Sequence, residues 1–250
     1  MPPRSFAYLL ALALAAVTPL GLRAQYTGYS LKLGPTLAFQ NWEGYNQSPL
    51  FAFHADLQVE SLSDTDPNSL YASLGYHQRG SSIRTQTFTI GGQRFRQEPI
   101  DFIFHNVALA LGAKRGATVL GQRGHVAFAL RGEVNVGSDL GGDIAEDRNM
   151  RSPTGVRFPL DEFVNRFVAG VDVGAGIDFS ISPSAECMVE FRVSPDFTRQ
   201  YRQPPLNVTV RDNTGAPIGT AVQPEESISN VTIELSIGFR LVRYPYVEED

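Results

Sequence analysis

Hydrophobic and polar residues alternate along most of the chain with a period of two. Within 166–180, for example, Phe167 and Phe179 fall on one side of the chain, and Asp172 and Asp178 fall on the other. Such alternation is typical of β-strands with one apolar and one polar face. It predicts eight strands, at 29–40, 51–60, 69–77, 100–113, 125–137, 166–180, 185–194 and 227–242.

The links between these strands alternate in length. The long links are 41–50, 78–99, 138–165 and 195–226. The short links are 61–68, 114–124 and 181–184. Outer-membrane barrels sort their links in this way, into long extracellular loops and short periplasmic turns. Several strands also exceed the roughly 9–11 residues that a tilted strand needs to cross the hydrocarbon. The fold class predicted is therefore all-β, a single eight-stranded antiparallel up-and-down transmembrane β-barrel.

The last long link contains a smaller pattern of its own. Two short alternating runs, 206–210 and 218–222, flank the turn-forming sequence Asp-Asn-Thr-Gly at 212–215. This order is typical of a β-hairpin, which we expect to form an extracellular flap. A disordered loop is the alternative.

The N-terminus has the order of a secretory signal peptide. A short start with one basic residue precedes the apolar run 6–17, and the sequence Leu-Arg-Ala at 22–24 offers a small residue before a cleavage point after Ala24. The alternative, a retained anchor, is disfavoured because the run is too short to span a bilayer. We expect residues 1–24 to be the signal peptide and residues 25–250 to be the barrel domain.

The polar faces carry charges of both signs. An Arg or Lys facing the bilayer midplane costs about 2–4 kcal/mol, whereas an eight-stranded barrel has a lumen just wide enough to be filled by side chains. Buried ions are tolerated there when they are paired. The pattern predicts a plugged lumen with an interior polar network formed by Lys32, Asp56, Glu60, Arg131, Glu133, Asp172, Asp178, Glu190, Arg192, Glu234 and Arg240. The apolar faces would contact outer-membrane lipid.

Aromatic residues cluster near the predicted strand ends, as interfacial girdles do. The periplasmic rim would hold Tyr26, Tyr29, Phe179, Tyr244 and Tyr246. The outer rim would hold Phe39, Trp42, Phe51, Tyr76 and Phe163. The alternative is that aromatic residues simply favour strands.

Composition limits the ligands and the catalytic groups that the chain can be expected to have. A net charge of −5 argues against a nucleic-acid partner. Cys187 is the single cysteine, and the four histidines lack ligand spacing, so we expect no metal and no cofactor. His54, Asp56 and Glu60 share one strand face, where an interior polar network is a commoner explanation than acid–base catalysis. We therefore expect no catalytic residues and no enzyme.

Three segments carry a resemblance to a known family. Residues 167–179 (FVAGVDVGAGIDF) resemble the glycine-rich late strand of the PorT-like outer-membrane β-barrel family of Bacteroidota. Residues 230–241 (NVTIELSIGFRL) resemble the last strand of that family, and residues 31–36 (LKLGPT) resemble its first. The resemblance implies an eight-stranded outer-membrane barrel without catalytic residues. The namesake of the family serves type IX secretion.

Several functions remain open at this point. We expect a non-enzymatic, monomeric barrel in the cell outer membrane, which is structural or binds a protein partner through its surface loops. The alternatives are an accessory component of type IX protein secretion and a narrow porin. A soluble lipocalin-like barrel would have the same alternation with its apolar face inward, but link lengths, strand lengths and aromatic rims favour the membrane.

Overall fold

The computed structural model describes residues 26–42, 47–63, 65–83, 87–90, 93–96, 100–119, 121–140, 161–211 and 216–243. The predicted signal peptide at 1–24 lies outside the described residues. Among the described residues, no helix is both long and apolar enough to cross a membrane.

Eight long strands form a closed antiparallel barrel. Each strand pairs with its neighbours in the chain, and the last strand pairs with the first, so the up-and-down order predicted from the sequence is confirmed. The barrel strands are β1 (Tyr26–Phe39), β2 (Leu50–Leu62), β3 (Asn68–Ile83), β4 (Ile100–Val119), β5 (Gln122–Leu140), β6 (Phe167–Ser182), β7 (Ala185–Pro195) and β8 (Val231–Arg243).

Successive residues of each strand face opposite sides of the barrel wall. In β2, Asp56 points into the lumen and is 2 % exposed, whereas its neighbour Leu57 points outward and is 61 % exposed. The alternation that predicts the strands therefore places the apolar face outside. The soluble lipocalin-like alternative, which needs that face inside, is wrong.

Some of the strands run further than the alternation predicts. β3 continues past His77 to Ile83, and β4 and β5 extend until only 120–121 separates them. Gly116 and Gly124, which the sequence places in a turn, are paired within the ladder opposite His125 and Ala117. Gly121, with φ of 76°, provides the left-handed residue that the tight turn requires.

The strand ends that the long links join all lie at one end of the barrel, and those that the short links join all lie at the other. The long links are 40–49, 84–99, 141–166 and 196–230, and the short ones are 63–67, 120–121 and 183–184. The predicted sorting of the links is confirmed. Because the strand number is even, β1 begins and β8 ends on the side of the short links.

The last long link is ordered into two strand pairs. Leu206–Arg211 pairs with Pro217–Gln223, which is the predicted hairpin. Nearer the barrel, Tyr201–Gln203 pairs with Glu226–Ile228. The alternation assigns 227–242 to one strand, but β8 begins only at Val231.

Candidate functional site, the sealed lumen

All of the sequence-predicted interior residues lie in the lumen. Their exposed fractions range from 0 % to 6 %, and each has an oppositely charged group within 4.0 Å. The residues are Lys32, Asp56, Glu60, Arg131, Glu133, Asp172, Asp178, Glu190, Arg192, Glu234 and Arg240. The structure thus brings together side chains from β1, β2 and β5 to β8.

Near the end with the long links, Arg131 is surrounded by carboxylates. Its Nε donates to Asp172 Oδ1 at 2.8 Å, and its Nη2 donates to Asp196 Oδ1 at 2.8 Å. It also contacts Glu133, whose carboxylate accepts hydrogen bonds from Arg79 Nε at 2.8 and 2.9 Å. Both guanidinium groups therefore donate several charge-assisted hydrogen bonds to buried carboxylates.

In the middle of the barrel, Arg192 and His77 share two carboxylates. Arg192 Nη1 lies 3.3 Å from Asp56 Oδ2 and 3.5 Å from Glu234 Oε2. His77 contacts the other oxygens, with Nε2 3.1 Å from Asp56 Oδ1 and Nδ1 2.9 Å from Glu234 Oε1. Two basic side chains therefore bridge the same pair of acids from two sides.

Glu190 is the hub of the next layer. Its carboxylate accepts from Lys32 Nζ at 2.7 Å and from Arg192 Nη2 at 2.8 Å. His125 Nε2 lies 3.1 Å from the same carboxylate. Removal of the Glu190 charge would leave several buried cations without their nearest acid.

At the end with the short links, Arg240 and Lys114 neutralise a second acidic group. Lys114 Nζ and Arg240 Nη1 each donate to Glu60 Oε2 at 3.1 Å. Arg240 also donates to Glu186 and lies 3.3 Å from Asp178 Oδ2. Ion pairs therefore fill the lumen along the length of the described strands.

Some members of the network are absent from the sequence prediction. Arg79 of β3 and Lys114 of β4 are missing from the predicted network because the predicted strands end at His77 and Ala113. In the structure the alternation of inward and outward side chains continues past these ends and places Arg79 and Lys114 inside. His77 lies on the predicted inner face, but the predicted network does not include it because only Asp, Glu, Lys and Arg side chains were counted as charged. Extending each alternating run to its turn would have found Arg79 and Lys114.

Glycines on the inner face make room for the long charged side chains. A Cβ added at Gly75 would lie 1.9 Å from Asp56 Oδ1, and one added at Gly170 would lie 2.4 Å from Arg131 Nη2. Carboxylate and guanidinium thus occupy the volume that a side chain would otherwise fill. The packing of the network depends on these small residues.

An apolar cap lies above the ionic layers at the end with the long links. The ring centroid of Trp42 is 5.3 Å from that of Phe102 and 4.8 Å from that of Tyr201. Tyr201 comes from the last long link, which therefore folds over the mouth of the barrel. The buried cap residues are Trp42, Phe102, Phe104, Leu140, Tyr201 and Ile228.

The predicted aromatic girdle is wrong for two residues. Trp42 is 2 % exposed inside the cap, and Phe163 packs against the same cluster rather than facing lipid. Trp42 follows β1 and Phe163 precedes β6, in links that turn over the mouth of the barrel. The alternation within a strand therefore does not determine which way their side chains face. Phe51 and Tyr29, by contrast, are exposed on the outer wall. Tyr244 and Tyr246 lie outside the described residues.

Polar contacts fasten the cap to the ionic network. Asp196 accepts from Arg131 at 2.8 Å and from Asn230 Nδ2 at 2.7 Å. Gln200 Oε1 accepts from Asn106 Nδ2 at 2.9 Å and from Asn230 Nδ2 at 3.2 Å. The side chain of Asn230, the residue before β8, therefore joins the cap to the ionic network.

The structure does not assemble a catalytic group from His54, Asp56 and Glu60. His54 bonds to the hydroxyl groups of Thr36 and Ser236, at 2.9 and 2.8 Å. Asp56 and Glu60 are occupied by different cations in different layers. Across the residues that the structure describes, no cluster of three or more His, Cys, Asp or Glu could hold a metal ion.

The outer wall is apolar. Large hydrophobic side chains cover it on every barrel strand, among them Leu33, Leu57, Leu74, Val107, Leu130, Val173, Phe191 and Ile237. So extensive an apolar surface is rare on monomeric soluble proteins. A closed sheet satisfies its own backbone hydrogen bonds, as a segment in hydrocarbon must. An apolar exterior around paired interior charges defines the class of transmembrane β-barrels.

The comparisons with known proteins give only distant similarities. No protein-family model and no curated protein matches the chain. Among solved structures, Neisserial surface protein A shares 11 % identity with a TM-score of 0.41, covering 86 % of this chain and 96 % of its own. A major outer membrane protein of Thermus thermophilus shares 12 % identity with a TM-score of 0.44, covering 87 % of this chain and 99 % of its own.

The Escherichia coli outer membrane protease OmpT is also similar, at 9 % identity and a TM-score of 0.40, covering 90 % of this chain and 99 % of the protease. At such identities and TM-scores, neither the activity of the protease nor the role of the other barrels transfers to this chain.

Proposed function

We propose that the chain is a non-enzymatic outer-membrane β-barrel that does not conduct and that acts, structurally or by binding a protein partner, through the side carrying its long links. The sealed lumen supports this proposal most directly. Arg79, Arg192, Glu234 and Arg240 are 0–4 % exposed, so the described interior holds no surface for solute. The apolar cap closes the mouth above them.

The apolar wall and the sorted links support a location in the cell outer membrane, with the long links outside the cell. This placement requires export, which cleavage of a signal peptide at 1–24 would provide. Proteolysis of intact cells tests the topology: cuts within 138–163 or 195–226 are expected, and cuts confined to 63–67 or 183–184 would contradict it. We expect the barrel to be a monomer.

The hairpin Leu206–Arg211/Pro217–Gln223 is the part of the last link that stands furthest from the cap contacts. Ile218 and Val222 are 65 % and 69 % exposed there. A protein partner at the extracellular side would find its apolar contacts on this hairpin, because exposed apolar groups favour association.

Conductance in planar bilayers separates the sealed barrel from a narrow porin. The wild-type barrel is expected to give no steady openings. Replacement of 197–229 by a short Gly-Ser linker removes much of the cap but leaves the ion pairs, so this variant is also expected to remain closed. Steady openings of the wild-type barrel would establish the porin and refute the sealed lumen.

Membership of the PorT-like family, with an accessory role in type IX secretion, is a second proposal that rests on residues 31–36, 167–179 and 230–241 alone. Deletion of the gene followed by analysis of the secreted proteins tests this role. A secretome identical to that of the wild-type strain would reject it and would leave the sealed barrel proposal unaffected.

A further inference from the structure

Among the residues that the structure describes, the lumen contains more acid than Lys and Arg can neutralise. The eight strands contribute eight buried carboxylates, Asp56, Glu60, Glu133, Asp172, Asp178, Glu186, Glu190 and Glu234. They contribute six buried Lys and Arg side chains, Lys32, Arg79, Lys114, Arg131, Arg192 and Arg240. Asp196 of the last link adds a ninth carboxylate, and the partly exposed Arg123 of β5, which lies 3.1 Å from Glu186, adds a seventh cation. Uncompensated buried charge is strongly destabilising, so the excess acid needs other cations.

Three histidines are buried in the same space, and their hydrogen-bond partners differ. Both ring nitrogens of His77 lie against carboxylate oxygens, of Asp56 at 3.1 Å and of Glu234 at 2.9 Å. Both ring nitrogens of His125 also lie against carboxylates, of Asp178 at 3.4 Å and of Glu190 at 3.1 Å.

His54 differs, because its two nitrogens meet the hydroxyl groups of Thr36 and Ser236. A hydroxyl can donate or accept, whereas an ionised carboxylate can only accept. One nitrogen of a neutral imidazole must accept, so a neutral ring fits between two hydroxyls. It does not fit between two carboxylates, where both nitrogens must donate.

We propose that His77 and His125 each hold a second proton and serve as fixed cations of the lumen, while His54 is neutral. The two imidazolium charges balance the excess of two carboxylates that remains when the nine acids are set against the seven Lys and Arg side chains. The protons lie on the rings rather than on the acids because imidazole is intrinsically more basic than a carboxylate. The lumen is therefore a proton-binding site as well as an ion-pair network.

The surroundings of both rings contain charges of each sign. Asp56 and Glu234 contact His77 directly, Arg192 contacts both of these acids, and His54 stacks on the ring. Glu133, which pairs with Arg79, interacts with His77 electrostatically. The groups that face His125 directly or through its two acids are Asp178, Glu190, Lys114, Lys32, Arg192 and Arg240. The cations in both sets already bind the acids, yet each ring retains its two acceptors at hydrogen-bonding distance.

Nitrogen NMR of the histidine rings in detergent-folded protein tests the proposal. At a pH of about 8.5, where an ordinary exposed histidine is about 99 % neutral, we expect the two ring nitrogens of His77 and of His125 to give imidazolium signals. The ring of His54 should give the split signals of a neutral imidazole. Imidazole-type signals from both His77 and His125 would overturn the proposal.

Assignment does not require variants of the network itself. The substitutions H54N and H105N remove the other two signals and leave both bridging rings in place. The predicted consequence for stability is directional: the free energy of unfolding falls as the pH is raised far enough to remove the two protons. The H54N variant should show the same fall, because a neutral ring has no second proton to lose.

Discussion

Leu57 lies at the middle of β2 on the outer wall, and its substitution by arginine tests which side of the barrel meets lipid. The side chain is 61 % exposed, and its cross-strand neighbours Leu31 and Leu74 are 48 % and 54 % exposed, so the site is apolar in every direction along the wall. An arginine at the bilayer midplane costs about 2–4 kcal/mol. This cost corresponds to a decrease of about 30- to 700-fold in the folding equilibrium constant, since about 1.4 kcal/mol is tenfold.

The assay is reversible urea unfolding in lipid vesicles, followed by the fluorescence of Trp42, which is buried in the cap. Phe51→Arg is the matched control, because Phe51 is also on the outer wall and 75 % exposed but lies at the end of β2. Near the interface the same charge costs about 0–1 kcal/mol. If Leu57→Arg changes stability by no more than about 0.5 kcal/mol, as an exposed substitution in a soluble protein does, the lipid-facing wall is refuted.

Two further predictions concern the interior. Glu190→Gln leaves Lys32, Arg192 and His125 without their shared acid and should lower the free energy of unfolding by about 3–5 kcal/mol. The control is Glu225→Gln, which removes an exposed ion pair and should lower the free energy of unfolding by about 0–1 kcal/mol. Equal effects of the two substitutions would contradict a buried network. Trp42→Ala should destabilise by about 3–5 kcal/mol and speed proteolysis within 197–229; an unchanged cleavage rate would show that the cap does not hold the last link.

The alternation of side chains predicted the strands and the apolar and charged face of each, but link lengths, strand lengths and aromatic rims were needed to predict that the charged face lies inside. The reason is physical: a strand has a period of two, and a closed barrel of eight such strands in lipid puts Asp172 and Asp178 inside while Phe167 and Phe179 remain outside. The lengths of the links then oriented the barrel. The bounds of β3 and β4 were less accurate because glycines such as Gly80 and Gly116 interrupt the alternation without ending the strand.

The sequence could not show which charges pair. Lys32 and Glu190 meet at 2.7 Å although 158 positions separate them, because strand tilt and register, not sequence distance, bring them to one layer. The cap was missed for a related reason. Trp42 and Tyr201 lie in links, where no periodicity predicts that two aromatic rings will pack over the same opening.

The most direct test of the central claim is the quenching of tryptophan by lipids with brominated chains. In a Trp42→Phe background, a tryptophan introduced by Leu57→Trp is the single tryptophan of the chain. Strong quenching of this residue is predicted, together with little quenching of Trp42 in the wild-type barrel. Quenching of Trp42 with none at position 57 would mean that the apolar wall does not face lipid, and the account would be wrong.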